Sequence, residues 1–233
     1  MEKYKEIRFE LTHKCLLNCF HCPVNADSKE TDILSLDKIK SILQNYECEK
    51  VGLTGGEPLL SDNLEDVIWW LKNNKHEVVL YTTGYAENAL MKLKTLKAFK
   101  VDKVIFYYHN SIPNIHNHIT RIEDSHMKVN YAIRHCLNMN LDVEVYVPPS
   151  GVNIYTLDET VDDLVSMGVV KIGFPEIENL GRVKTYPYMI PDRKELSEAL
   201  DFIKRKYDRY AKIVTASNKG IILVDPKGNV SIR

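Results

Sequence analysis

A chain of 233 residues has room for one sizeable α/β domain and a short appendage. Its formal net charge of −1 supplies no field that would gather nucleic acid or anionic lipid, and 44% hydrophobic with 27% charged residues is an ordinary globular balance. The first 15 residues, MEKYKEIRFELTHKC, carry no apolar signal segment, and no later stretch approaches a membrane span, so a cytoplasmic location is expected.

In chain order, β-rich runs at residues 6–11, 50–54, 77–82, 103–108, 141–147 and 169–174 alternate with amphipathic stretches, the pattern of βα units around a parallel sheet. Ser35, Asp62, Ser125 and Thr156 each stand before a helical stretch as N-cap residues, and residues 87–99 place apolar side chains at helical spacing. After the sixth run, Pro191 and Asp192 open a helix reaching about Tyr210. The stretch IILVDPKGNVSIR then reads as a hairpin turning at residues 225–228. The expected division is a main domain over residues 1–190 and an appendage over residues 191–233.

Alternation within the strands carries further information. In IRFEL, Ile7, Phe9 and Leu11 oppose Arg8 and Glu10; in DVEVYV, Val143, Val145 and Val147 oppose Glu144 and Tyr146. A flat sheet with helices on both faces would be apolar on both. One apolar and one partly polar face favours a curved sheet with helices outside and a polar concavity inside, with a sheet open to solvent as the alternative.

Of five cysteines, Cys15, Cys19 and Cys22 crowd together just after the first strand, while Cys48 and Cys136 stand alone as packing residues. Three thiolates at this spacing can hold a [4Fe-4S] cluster through three irons, which leaves the fourth iron open to chelate a ligand and pass it an electron. The trio with His13 or His21 would also suit tetrahedral zinc, although no second cysteine pair completes the usual structural zinc pattern. The second motif, Gly55-Gly56-Glu57-Pro58, directly follows the second strand. Paired glycines let the backbone approach a ligand, and Glu57 is expected on the rim at the strand's C-terminal end, with an ammonium group as its partner.

CxxxCxxC followed by GGEP resembles the radical S-adenosylmethionine (SAM) superfamily, and the likeness runs over residues 6–186. The resemblance implies a partial (β/α)6 TIM-like barrel with a short C-terminal helix and β-hairpin. It implies that Cys15, Cys19 and Cys22 ligate one [4Fe-4S] cluster and that Gly55, Gly56, Glu57 and Pro58 contact the methionyl end of SAM. Reductive cleavage of SAM would then release a 5'-deoxyadenosyl radical that abstracts hydrogen from a substrate.

Further segments resemble the same family. Tyr81-Thr82-Thr83-Gly84 is similar to a Thr-Asn-Gly segment, with Thr83 as a polar contact to SAM. Asn153 matches an asparagine that touches the ribose or adenine, and equally reads as a loop cap. Tyr107-Tyr108-His109-Asn110 departs from the usual Ser-Leu-Asp-Gly, and Arg121 lies one place beyond the usual arginine. Gly181-Arg182 resembles a segment of the peptide- and cofactor-maturing branch.

Tyr107, His109, Glu144, Tyr146, Glu176 and Arg182 are the candidates for substrate contact. The tail resembles the start of a SPASM or Twitch extension, with Ser217 and Arg233 near places where cysteines would stand, so a single cluster is expected. The implied partners are a peptide or small-molecule substrate and an electron donor such as flavodoxin or ferredoxin. A glycyl-radical-enzyme activase is the alternative enzyme, and a zinc-binding or electron-transfer protein the alternative without catalysis.

Overall fold

The computed structural model describes residues 3–216 and 220–232; Ser217 and Arg233 lie outside the described residues. The first half of the chain runs β1 (Lys3–Thr12), α1 (Leu36–Asn45), β2 (Glu47–Gly55), α2 (Leu64–Asn73), β3 (Val78–Thr82), α3 (Ala89–Ala98) and β4 (Lys103–Tyr107). It continues with α4 (Pro113–Thr120), α5 (Ser125–Asn138), β5 (Val143–Tyr146), α6 (Leu157–Ser166) and β6 (Lys171–Pro175). The last elements are α7 (Arg193–Tyr207), β7 (Lys212–Ala216), β8 (Ile221–Val224) and β9 (Val230–Ile232).

Each of the six predicted strands has its counterpart in β1 to β6. Ser35 caps α1 by accepting the Lys38 N–H at 3.3 Å, and Asp192 caps α7 by accepting from Lys194 and Glu195 at 2.8 and 3.1 Å. Two starts shift by one residue: Asn63 rather than Asp62 stands at the α2 N-cap, and Asp124 rather than Ser125 at that of α5. The short helix α4 and the strand β7 were not anticipated.

Among the described residues the strands form one sheet in the order β7-β6-β5-β4-β3-β2-β1-β8-β9, parallel throughout except for the antiparallel β8–β9 hairpin. The hairpin turns where expected: the Asp225 carboxylate accepts from Lys227 and Asn229, and Gly228 N–H donates to Asp225 O. Its first strand, β8, pairs with β1 and lengthens the sheet, because its backbone groups find a ready ladder along that edge.

The sheet is strongly curved, a partial barrel. Seven strand spacings separate β7 from β8, about 34 Å if the sheet were flat. Yet Ala216 and Ile221 are joined by five Cα steps, which span at most about 18 Å.

The helices cover the convex face, where Ile7, Phe9, Leu11, Val143, Val145 and Val147 join the main core. The concave face carries the alternate residues. At its lower end Glu6 pairs with Arg8 at 3.1 Å and Lys50 at 3.6 Å, while Glu144 pairs with Lys171 at 2.6 Å and Lys103 at 3.5 Å. Above these ions, Tyr81, Tyr107 and Tyr146 pack edge-on or tilted, with centroids 5.8 and 6.2 Å apart.

Replacing Glu144 leaves two lysines facing each other without their shared anion. Glu144→Ala is expected to lower unfolding free energy by about 1–3 kcal/mol, read from urea denaturation at neutral pH.

Candidate active site

Because β1 and β2 are parallel neighbours, the loops leaving their C-terminal ends lie side by side. Gly56 N–H donates to Thr12 O at 2.7 Å, and Glu57 N–H to Lys14 O at 2.8 Å. The approach explains the paired glycines. A Cβ on Gly55, whose φ is +133°, would lie 2.2 Å from Thr12 O, and one on Gly56 would lie 2.4 Å from Lys14 O.

Glu57 departs from the expected rim position. Its side chain is fully buried and turned beneath the loop. One oxygen accepts from Leu59 N–H at 3.1 Å and the Thr82 hydroxyl at 2.5 Å; the other accepts from Thr83 N–H at 2.9 Å and the Thr83 hydroxyl at 2.7 Å. Burial pushes the carboxyl above its ordinary value, and the four donors oppose that shift. Four donors satisfy the carboxylate more fully than one ammonium would, so Glu57 knits the β2 loop to the end of β3. Gly55, Gly56 and Thr83 line the cavity above it; Glu57 and Pro58 do not.

The cysteine loop is held from three sides. Cys15 N–H donates to Asp27 O at 3.1 Å. Asn18 and Phe20 N–H groups donate to Thr120 and Ile119 carbonyls at 3.0 and 3.1 Å, using acceptors that the last turn of α4 leaves open. Arg121, just beyond α4, stacks over Phe20 at 5.1 Å.

From across the barrel, Arg182 N–H donates to Cys22 O at 3.0 Å, and its guanidinium donates to the Cys19 carbonyl at 3.1 Å and to that of Ala26. Gly181 has φ +57°, and a Cβ there would sit 2.3 Å from Cys22 O. Arg182, expected to face substrate, lines the cavity while its fork of donors engages carbonyls of the cysteine loop.

All three cysteines are free thiols. Burial pushes the Cys15 thiol up to about 12 and that of Cys19 well above its ordinary value, with neighbouring ionisable groups adding to both. Thiolates at Cys15 and Cys19 therefore require a cationic group to share them. Ala26 N–H already points at Cys22 Sγ, 3.3 Å away. His13, a possible zinc ligand, is hydrogen-bonded to Glu10 at 2.8 Å. Among the described residues no three His, Cys, Asp or Glu side chains are arranged to hold a single metal ion. A [4Fe-4S] cube takes each cysteine at a different iron and suits this donor set better.

The cysteines open onto a cavity at the C-terminal ends of the strands, the end where barrel sites form. Tyr107, His109, Tyr146, Glu176 and Arg182 line it with them. Glu144 does not, being held by Lys103 and Lys171 one inward-facing position below Tyr146. Asn153 is also elsewhere: its amide donates to His109 O at 2.8 Å and Pro148 O at 3.0 Å, and its oxygen accepts from Ser150 N–H at 2.7 Å. Those bonds cap the loop after β5 and leave little of the side chain for a ligand.

Arg8, Glu10, Tyr81, His21, Glu178 and Leu223 also line the cavity. The β1 alternation held the signal for Arg8 and Glu10; Leu223 had none, because its place depends on β8 pairing with β1.

His109 is 2% exposed, and neither ring nitrogen has a hydrogen-bond partner; its ring stands 4.8 Å from His21 and 5.2 Å from His116. Burial, assisted by neighbouring imidazoles, pulls His109 well below its ordinary value and His116 down to about 3.

Two outcomes follow from these contacts. Arg182→Gln is expected to lose iron to a chelator roughly tenfold faster than the unaltered reconstituted protein, with Arg182→Lys between them, as measured by iron release under anaerobic conditions. His116 stays neutral in the native state but takes up a proton near 6.5 when unfolded, so its contribution to stability falls as pH drops from about 6.5 toward 3. His116→Gln should flatten the decline of the urea midpoint between about pH 7 and pH 5.

Residues 9–167, more than half of the chain, match the family model described as the Radical SAM superfamily. A probable GTP 3',8-cyclase of Sulfurisphaera tokodaii is 27% identical over 233 residues, covering 97% of this chain and 74% of the relative. That of Methanocaldococcus jannaschii is 24% identical over 234 residues, covering 97% and 77%. Among solved structures, Streptococcus suis SuiB bound to precursor peptide SuiA superposes with a TM-score of 0.80 at 9% identity, covering 99% of this chain. The chain spans 59% of that protein. Native anSMEcpe with bound AdoMet gives 0.72 at 14% identity, covering 98% of this chain and 74% of its own. These superpositions establish the partial-barrel fold. The family match over more than half of the chain means that it belongs to the radical SAM superfamily, whose cofactors are a [4Fe-4S] cluster and S-adenosylmethionine.

Proposed function

We propose that the chain cleaves SAM reductively at a [4Fe-4S] cluster held by Cys15, Cys19 and Cys22, and directs the resulting 5'-deoxyadenosyl radical to hydrogen abstraction from a peptide or cofactor-precursor substrate. The observation that carries this reading is the shared wall: the cysteine trio, Gly55, Gly56 and Thr83 open on one cavity. When bound, the cluster supplies one electron to the sulfonium.

The chain's own residues do the rest. Gly55 and Gly56, which line the cavity, offer main-chain groups to an amino-acid moiety. Leu17, Val24, Pro148 and Ile177 give the cavity apolar sides that exclude water from a reactive species. A flavodoxin- or ferredoxin-like donor provides the electron. No helix among the described residues is long and apolar enough to cross a membrane.

Both substrate classes have support among the relatives. The archaeal relatives are named for a reaction on GTP, whereas SuiB was solved with a precursor peptide and anSMEcpe with the Cp18Cys peptide.

Anaerobically reconstituted protein, reduced with dithionite in the presence of SAM, is expected to yield 5'-deoxyadenosine and methionine, and Cys19→Ala to yield neither. Fully loaded protein that releases no 5'-deoxyadenosine on chromatography would overturn the reading.

A further inference from the structure

The loop that carries the cysteines has two sides. Cys15, Cys19, His21 and Cys22 line the cavity, whereas Phe20, between them in the chain, does not. The half-buried Phe20 ring packs among other rings, with centroids 5.2 Å from His118, 4.7 Å from Tyr186 and 6.2 Å from Tyr188. The Arg121 guanidinium lies 5.1 Å over it. His118 and Arg121 are exposed, Tyr188 is 51% exposed, and Ile190, two residues on, is 39% exposed.

Aromatic rings with an arginine among them have the composition of protein interfaces rather than of solvated surface. The patch also has a sign. The segments that form it, residues 16–20, 118–123 and 184–190, carry Arg121, Lys184 and His118 against a single acid, Glu123. Lys184 is exposed in the turn that leads to Tyr186. Among the described residues neither Arg121 nor Lys184 takes part in an ion pair, whereas the next carboxylate along the chain, Asp124, is held by Lys128 at 2.7 Å. Two uncommitted cations beside exposed rings suit a partner that brings carboxylates and an apolar surface together.

The proposed reaction takes one electron from outside the chain, and electron transfer weakens steeply with distance, so the donor has to rest against the cysteine loop. The cavity side of that loop is where SAM and substrate would bind; the Phe20 side is open. We propose that the surface of Phe20, His118, Arg121, Tyr186 and Tyr188 is the docking site of the electron donor, an acidic redox protein whose carboxylates meet Arg121 and Lys184 while its apolar surface covers the rings. The donor is oxidised by one electron and the cluster reduced by one, with no bond made or broken. This rests on the proposed function for the need of an electron and adds the place where it enters.

The test uses holoprotein reconstituted with iron and sulfide, with an acidic flavodoxin as the probe. Calorimetry measures binding of the oxidised flavodoxin at low and high salt, and anaerobic stopped flow measures cluster bleaching by reduced flavodoxin and, separately, by dithionite. Arg121→Glu combined with Lys184→Glu is expected to weaken binding roughly tenfold at low salt, less at high salt, and to lower the ratio of the flavodoxin rate to the dithionite rate by a similar factor. Glu123→Lys, which removes the one acid, is expected to tighten binding about threefold. Tyr188→Ala is expected to weaken it at both salt concentrations.

Equal affinity of the double variant, an unchanged ratio of the two rates, or no binding of flavodoxin by the unaltered protein overturns the proposal. Calorimetry reports on the surface even in a variant that holds less iron. 5'-Deoxyadenosine formed with dithionite is measured on the same samples and keeps the two readings apart. Flavodoxin bound at this surface without SAM cleavage refutes the earlier reading alone, and SAM cleavage with flavodoxin indifferent to these substitutions refutes the docking site alone.

Discussion

Two backbone hydrogen bonds, from Gly56 to Thr12 and from Glu57 to Lys14, hold the site together. They join the end of β1, where the cysteines begin, to the end of β2. Side chains at residues 55 and 56 would collide with the carbonyls that accept or border these bonds. The buried Glu57 carboxylate then extends the link to Thr82 and Thr83 at the end of β3. Three consecutive strand ends thus become one continuous rim, fixed by main-chain geometry and one satisfied carboxylate rather than by the packing of mobile side chains.

The concave interior is layered by polarity. At the lower end, one carboxylate bridges two cations in each of the Glu6–Arg8–Lys50 and Lys103–Glu144–Lys171 groups. Above them come tyrosine rings, and above those the uncharged imidazoles and the cysteine loop. Lysine stems at that lower end carry charge out toward water, while Glu10, Glu176 and Glu178 stand at the cavity itself. Arg182 is a cation kept near the thiols because carbonyls of the cysteine loop accept its hydrogen bonds.

Much of this was legible in the chain. Period-two alternation in β1 and β5 located the inner face, and the two motifs fell on neighbouring strand ends because successive βα units pair in order. What escaped depended on distant partners. Glu144 was read as facing inward, and it does, but two residues along a strand are about 6.6 Å in depth, enough to place it among lysines instead of beside the cavity. The hydroxyls that satisfy Glu57 lie 25 and 26 residues away, and the carbonyls that engage Arg182 lie 163 and 156 residues away. The strand β7 is a five-residue run behind a long helix, too short for periodicity to distinguish it from the helix's exit.

The ladder between β1 and β8 sets an order of events during synthesis. Residues 6–9 pair with residues 221–224, so the strand carrying the cysteine loop acquires one neighbour early, in β2, and the other only after about 210 further residues have been made. Until then its second edge lies bare, and the barrel wall beneath the cysteines is unfinished on that side.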